Sequence, residues 1–244
     1  MDVQLKLEHL KKSFGGVHAV DDVSFDVFKG EILGLIGPNG SGKSTCVNLI
    51  SGVYRLDSGN IIFEDNTINK ISIPNRSRIG IGRTFQSPKP FTGLTIYESV
   101  FTIAIQYLSF KDADRKVMEI LEMTGLADEC DWFSEKLPIE RRKWLDMARI
   151  LTTNPKIIML DEVMAGLNPS EIGDSVDLVK KINSMGITIL FIEHVMKAVV
   201  KLCHRIVVLN EGKLLSTGSP DEVMNNPEVI KAYLGGGISH AKAR

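Results

Sequence analysis

Two short runs carry the residue types and the spacing for phosphate chemistry. GPNGSGKST, residues 37–45, fits G-x-x-x-x-G-K-[ST] and follows the apolar run ILGLI. In that setting Gly37, Gly40 and Gly42 let backbone N–H groups curl around a phosphate with no Cβ in the way. A helix opening near Lys43 points its positive end at the same anion. Lys43 is expected to reach the β- and γ-phosphates, and the Ser44 hydroxyl to ligate Mg²⁺. The whole run, Gly37, Pro38, Asn39, Gly40, Ser41, Gly42, Lys43, Ser44 and Thr45, is the candidate nucleotide-binding segment. IIMLDE, residues 157–162, is an apolar strand ending in two carboxylates. Asp161 suits a magnesium ion reached through water. Glu162, one residue further, is placed as general base for the water that attacks the γ-phosphate. A strand-end acidic pair alone reads as solvated surface; after a phosphate loop it reads as the second half of the same site.

The elements that must position these runs follow from periodicity. Val3, Leu5 and Leu7, then Val23, Phe25 and Val27, alternate with polar residues, the pattern of half-buried strands in an antiparallel sheet. NIIFEDNTI adds another strand, with a turn expected at Asp65-Asn66. From about 95 to 152 the pattern is helical, and Leu145, Ala148 and Leu151 mark a core-facing stripe. The chain then alternates strand and helix: IIML, a helix after Ser170, ITILFI, a helix near 195–203, and RIVVL, which turns at Asn210-Glu211-Gly212 into KLLSTG as a hairpin. Buried strands alternating with helices predict an α/β core with a parallel sheet covered on both faces. An antiparallel β subdomain flanks it and a helical lobe interrupts it. The expected boundaries are one domain over 1–235, with core and β subdomain from 1–86 and 152–235 and helical subdomain from 87–151. GGGISHAKAR suggests a flexible tail over 236–244.

The 244 residues, 43% hydrophobic with a net charge of −1, describe a globular chain and give no basic surface for nucleic acid. Short basic runs such as Arg141-Arg142-Lys143 read as solvated faces. Cys46, Cys130 and Cys203 form no metal or disulfide framework and read as buried or half-buried thiols of a reducing compartment. The first residues read as a strand and not a signal peptide, and the apolar runs are far shorter than the ~20 residues a membrane span needs. A soluble, cytoplasmic chain is expected, with any membrane role exerted through a partner.

With both motifs in order, the sequence resembles the ATP-binding subunit of an ABC transporter over residues 3–235. The resemblance implies a P-loop NTPase core, ATP and Mg²⁺ as ligands, ATP hydrolysis, and attachment to integral-membrane subunits at the cytoplasmic face of the inner membrane. It also assigns three single residues. Gln86 in GRTFQ matches the glutamine loop that touches the metal and relays to the membrane subunit. His194 in ILFIEH matches the switch histidine at the γ-phosphate, and Phe14 in KKSFGG the aromatic that stacks on adenine. FGGVHAVDDVSF, RTFQ, AGLNP and NPEVIKAYLG are similar to branched-chain (hydrophobic) amino-acid importers. Other readings are a soluble ABC-type ATPase in cluster assembly or nucleic-acid maintenance, an exporter ATPase, a small-molecule kinase, and a non-hydrolysing regulatory subunit. The intact Glu162 and His194 speak against the last.

One stretch departs from the family. Aligned on LDMAR, the LSGGQ positions that close over the partner subunit's γ-phosphate hold Leu137, Pro138, Ile139, Glu140 and Arg141. Both glycines and the serine are gone, and Glu140 brings negative charge. Loss of one preorganised donor costs roughly 10² to 10³ in rate. Free N–H groups at the helix start and the charge of Arg141 are the available compensation. Val163 replaces the proline that commonly follows the acidic pair, and Asn168 the dimer-loop aspartate. The expectation is a heterodimer in which a second ABC ATPase subunit with an intact signature completes the site built on Lys43, Asp161 and Glu162.

Overall fold

A computed structural model describes residues 2–85 and 88–238. The chain opens with a long antiparallel hairpin, β1 (Val3–Phe14) and β2 (Val17–Phe28), turning at Gly15 and Gly16. β4 (Ser58–Phe63) pairs with β1 on its other edge and with the short β5 (Asn66–Thr67), giving a sheet in the order β2-β1-β4-β5. The β4–β5 turn falls at Glu64 and Asp65, both left-handed, one residue before the expected place. A tight hairpin turn of this hand needs two positive-φ residues, and Asn66 is then free to pair with Phe63.

The second sheet holds the order β10-β9-β3-β8-β7-β6. Its members are β3 (Ile32–Ile36), β6 (Ile81–Arg83), β7 (Ile157–Asp161), β8 (Thr188–Ile192), β9 (Arg205–Asn210) and β10 (Lys213–Gly218). β6, β7, β8, β3 and β9 run parallel, and β10 closes the edge as the antiparallel arm of the expected hairpin. Alternate side chains of each parallel strand enter different cores, as the two-residue period requires. Leu33, Leu35, Met159 and Leu190 pack toward the antiparallel sheet and α1 (Lys43–Ser51). Ile32, Ile36, Ile158, Leu160 and Phe191 pack toward the helices of the opposite face.

That opposite core runs without a break into the inserted lobe, through Val100 of α3 (Ile96–Ala104), Val117 and Leu121 of α4 (Phe110–Thr124), and Leu145 and Ala148 of α5 (Ile139–Leu151). The lobe therefore shares a core with the sheet. Three short elements went unpredicted. α2 (Ile73–Arg78) has six residues and β6 has three, too few to show a period; α8 (Pro220–Met224) has five. α6 (Pro169–Ser184) is capped by Asn168, whose side chain accepts from Ser170 and Glu171 while Glu171 accepts from the Asn168 N–H. α7 spans Met196–Leu202. α9 runs Pro227–Ile238, so the segment expected to be tail from 236 begins as helix; Pro227 at its start suits the first turn. Among the described residues, no helix is long and apolar enough to cross a membrane.

Candidate active site

β3 delivers the chain to the phosphate loop and α1 receives it. Gly37 sits at φ +150°, where an added Cβ would stand 2.1 Å from the Leu209 carbonyl oxygen of the neighbouring strand. Gly42, the α1 cap, sits at φ +103° with 2.5 Å of room to the Ala19 carbonyl. Both glycines are thus demanded by close backbone approach as well as by φ. Lys43 is buried and folds back over the loop, donating to the carbonyls of Gly37 (2.8 Å) and Pro38 (3.0 Å). Burial pulls its pKa down, opposed by the nearby carboxylates of Glu162 and Asp161. Ser41 Oγ is buried in the loop without a hydrogen-bond partner among the described residues. A cleft of about 490 Å³ opens over this loop, lined from Asn39 to Thr45 and by Val17, His18, Ala19, Glu162, His194 and Glu211.

The strand ends β7 and β8 complete the arrangement. His194 Nε2 lies 3.1 Å from Glu162 Oε1, and donates to it when Glu162 is ionised. Asp161 is buried, with its N–H on Thr84 Oγ1 and its carboxylate 3.1 Å from Arg83 Nη2. Burial raises the Asp161 pKa and Arg83 works against the rise. Arg83 in turn donates to Asn48 (2.6 Å) and Ser51 (3.1 Å) of α1, tying the Asp161 carboxylate to the phosphate-loop helix. Ser44 and Asp161 line a second cavity of about 620 Å³, shared with Arg83, Phe85, Phe91 and Arg149 between sheet and lobe.

The motif residues expected to meet do so: Lys43, Ser44, Thr45, Asp161, Glu162 and His194 converge on adjoining cavities. Phe14 stands apart. Its ring, 41% exposed, takes the edge of Tyr54 at 5.0 Å and is not among the residues lining the phosphate cleft. Gln86 lies outside the described residues. Arg83, Lys143 and Glu193 were missed. Lys143 was expected on a solvated face and is 5% exposed; Glu193, directly after the apolar run of β8, is 1% exposed.

The face made by residues 137–141 caps α5. Pro138 is the N-cap and Ile139 is exposed. Arg141 does not offer its charge outward: it donates to the Gly125 carbonyl (2.9 Å), pairs with Glu129 at 3.1 Å and stacks on Trp144. The expected compensation is therefore committed inside the lobe. Partial burial and the neighbouring Glu171 push the Glu140 carboxyl above its usual range.

A glycine-built loop between a parallel strand and a helix, facing a carboxylate and a histidine from adjacent strand ends, defines a P-loop nucleotide-hydrolysing domain. Comparison with known proteins narrows the class. The ABC transporter family model matches residues 20–165, and one for branched-chain amino acid ATP-binding cassette transporters matches residues 213–238. The chain is 36% identical over 248 residues to LivG of Escherichia coli (strain K12), a high-affinity branched-chain amino acid transport ATP-binding protein, covering 95% of this chain and 97% of that one. It is 33% identical over 233 residues, with the same coverage, to the lipopolysaccharide export system ATP-binding protein LptB of Haemophilus influenzae. The ADP conformation of MJ1267, an ATP-binding cassette of an ABC transporter, superposes with a TM-score of 0.87 at 30% identity, covering 96% of this chain and 100% of that one. The chain belongs to the ABC transporter ATP-binding family, and is an ATP-binding, ATP-hydrolysing subunit.

Proposed function

We propose that this chain powers uptake of branched-chain or other hydrophobic amino acids, hydrolysing ATP at the cytoplasmic face of the inner membrane for separate membrane subunits. The observation that carries the importer reading is the pair of matches at opposite scales: near full-length similarity to LivG and the importer-type model over β10, α8 and α9. LptB matches over the same extent, and the 213–238 segment is what favours import.

In this reading Lys43 leaves the Gly37 and Pro38 carbonyls for the β- and γ-phosphates, a better partner for a buried ammonium. Glu162 accepts the proton of the attacking water, and His194 keeps the carboxylate aimed by its 3.1 Å hydrogen bond. Magnesium bound with the nucleotide supplies charge neutralisation at the phosphoryl oxygens. Ser44 and Asp161, oxygen donors lining one cavity, are the described residues that would hold it, with Gln86 the further family position. Phe14 would meet adenine beyond the phosphate cleft. The groove between sheet and lobe, with Phe85 63% exposed, is where a membrane subunit would seat, one layer from the metal-side carboxylate.

The second subunit is a heterodimeric partner. The buried engagement of Arg141 and the negative Glu140 support a weak capping face at 137–141. Gel filtration with light scattering on Glu162→Gln tests the pairing: a monomer that still binds ATP supports it, and an ATP-dependent homodimer overturns it. Cellular uptake of labelled leucine tests the function. It is expected to vanish in Glu162→Gln cells, and unchanged uptake would remove the importer reading.

A further inference from the structure

Glu162 is held in a left-handed backbone conformation, φ +52°, unusual for a residue with a side chain. Such strain persists only where the surroundings over-determine it. The restraint comes from two buried charges the proposed mechanism does not use, Lys143 (5% exposed) and Glu193 (1% exposed).

Lys143 reaches across from α5 and donates to the carbonyls of both Glu162 (3.3 Å) and Ala165, the two ends of the loop. Glu193 approaches from the end of β8. One of its oxygens accepts the Met164 N–H at 2.6 Å, in the middle of the same loop, and the other accepts the His194 N–H at 3.2 Å. The Glu162 N–H is fixed on the Ile192 carbonyl at 2.9 Å. Opposite charges thus hold the two polarities of one short backbone segment, the ammonium its carbonyls and the carboxylate its N–H. A buried charge is costly unless so compensated. Burial lowers the Lys143 pKa and raises that of Glu193, and each opposes the shift of the other.

We infer that Lys143 and Glu193 are positioning residues for the reaction, holding Glu162 and His194 in mutual register and linking them to α5. The inference rests on the proposed role of Glu162 as base. Because Lys143 stands one turn inside α5, whose first turn is the capping face, a shift of that helix at the partner's nucleotide reaches the base of the chain's own site. The link is mechanical and needs no titration.

The test uses the assembled transporter, with this chain varied alone, and reads kcat, KM for ATP, nucleotide affinity and Tm. Lys143→Met and Glu193→Gln are expected to lower kcat by roughly 10- to 100-fold, as misplacement of a catalytic group does, with KM and ATP affinity within about threefold of wild type. Lys143→Arg, which keeps donors for both carbonyls, should recover most of the rate. Where Lys143→Met does not fold, the neutral pair Lys143→Met/Glu193→Gln is read instead, because it leaves no buried charge uncompensated. A kcat within twofold of wild type in the neutral pair overturns the inference, as does a Lys143→Arg no better than Lys143→Met. Glu162→Gln is run beside them. If it hydrolyses ATP normally the base assignment itself fails; if it is dead while the Lys143 variants are active, only the positioning role fails.

Discussion

Replacing Arg83 by methionine removes a guanidinium from one of the least exposed ion pairs in the molecule while keeping most of its apolar stem. The Arg83 side chain is 11% exposed and its partner Asp161 7% exposed, at 3.1 Å. Its other donors lie on Asn48 and Ser51 of α1. Burial already raises the Asp161 pKa, and Arg83 is the largest influence against that rise. Removing one partner of a buried pair costs about 3–5 kcal/mol. The adjoining cavity of about 620 Å³ gives water a route to the stranded carboxylate, so the lower end applies. About 3 kcal/mol in a chain of this size lowers Tm by roughly 6–12 °C. The cost must shrink in acid. With the folded Asp161 pKa raised further, stability is recovered as pH falls through that pKa and lost as pH rises through it. The assay is thermal unfolding of the nucleotide-free chain at about pH 5 and about pH 7.5, for Arg83→Met, Asp161→Asn and the double variant. In the Asp161→Asn background Arg83→Met should cost clearly less, since the stranded charge is gone and only the hydrogen bonds to Asn48 and Ser51 are lost. Equal costs in both backgrounds, or a Tm unmoved near neutrality, would refute the pairing.

Glu162→Gln should bind ATP as wild type and lose roughly 10²- to 10⁴-fold in phosphate release, with binding followed by nucleotide titration. Burial pushes Asp146 up to about 6 against the opposing Arg149. Its protonated form therefore stabilises the fold in acid, and about 1 kcal/mol is lost between roughly pH 5 and pH 7. Urea midpoints should show this slope in wild type and not in Asp146→Asn. Gly37→Ala places a Cβ 2.1 Å from the Leu209 carbonyl. The strain of about 1–3 kcal/mol should appear as a lower Tm together with weaker ATP binding; a variant with both intact would mean the loop is not held as described.

What was legible in the sequence was whatever a local pattern dictates. GPNGSGKST sits after a buried strand and opens a helix because glycine positions and apolar run are contiguous, and IIML ends on Asp161 for the same reason. Leu145, Ala148 and Leu151 lie buried as their spacing requires. Illegible were the features made by chain segments far apart. Arg83 meets Asp161 across 78 positions, and nothing near either residue announces the other. Lys143 sits in a basic run that looks solvated, and only the loop at Glu162–Ala165 gives it buried partners. The turn at Glu64-Asp65 slipped by one because Asp65-Asn66 and Glu64-Asp65 are both credible by composition, and strand pairing between Phe63 and Asn66 decides between them.

The departure at 137–141 falls partly on residues that the fold uses, Leu137 in the core and Arg141 inside the lobe. Leu137 is buried, and Arg142 ties the entry to α5 by donating to the carbonyls of Leu137 (2.7 Å) and Glu135 (2.6 Å). From Lys143 onward the helix is committed to the core. Between them Pro138 and Ile139 are exposed in the first turn, while Glu140 is half-buried. The exposed part of the change bears on what the turn meets. A proline N-cap, a carboxyl at the second position and an arginine turned back to Glu129 subtract donors and positive charge from a surface whose family counterpart meets a phosphate. The rest of the molecule keeps Lys43, Glu162 and His194 assembled around a cleft. A cleft that gathers Lys43, Glu162 and His194 and a first turn of α5 poor in donors, on one chain, are the two observations behind the proposed unequal pair of subunits, and neither alone would point there.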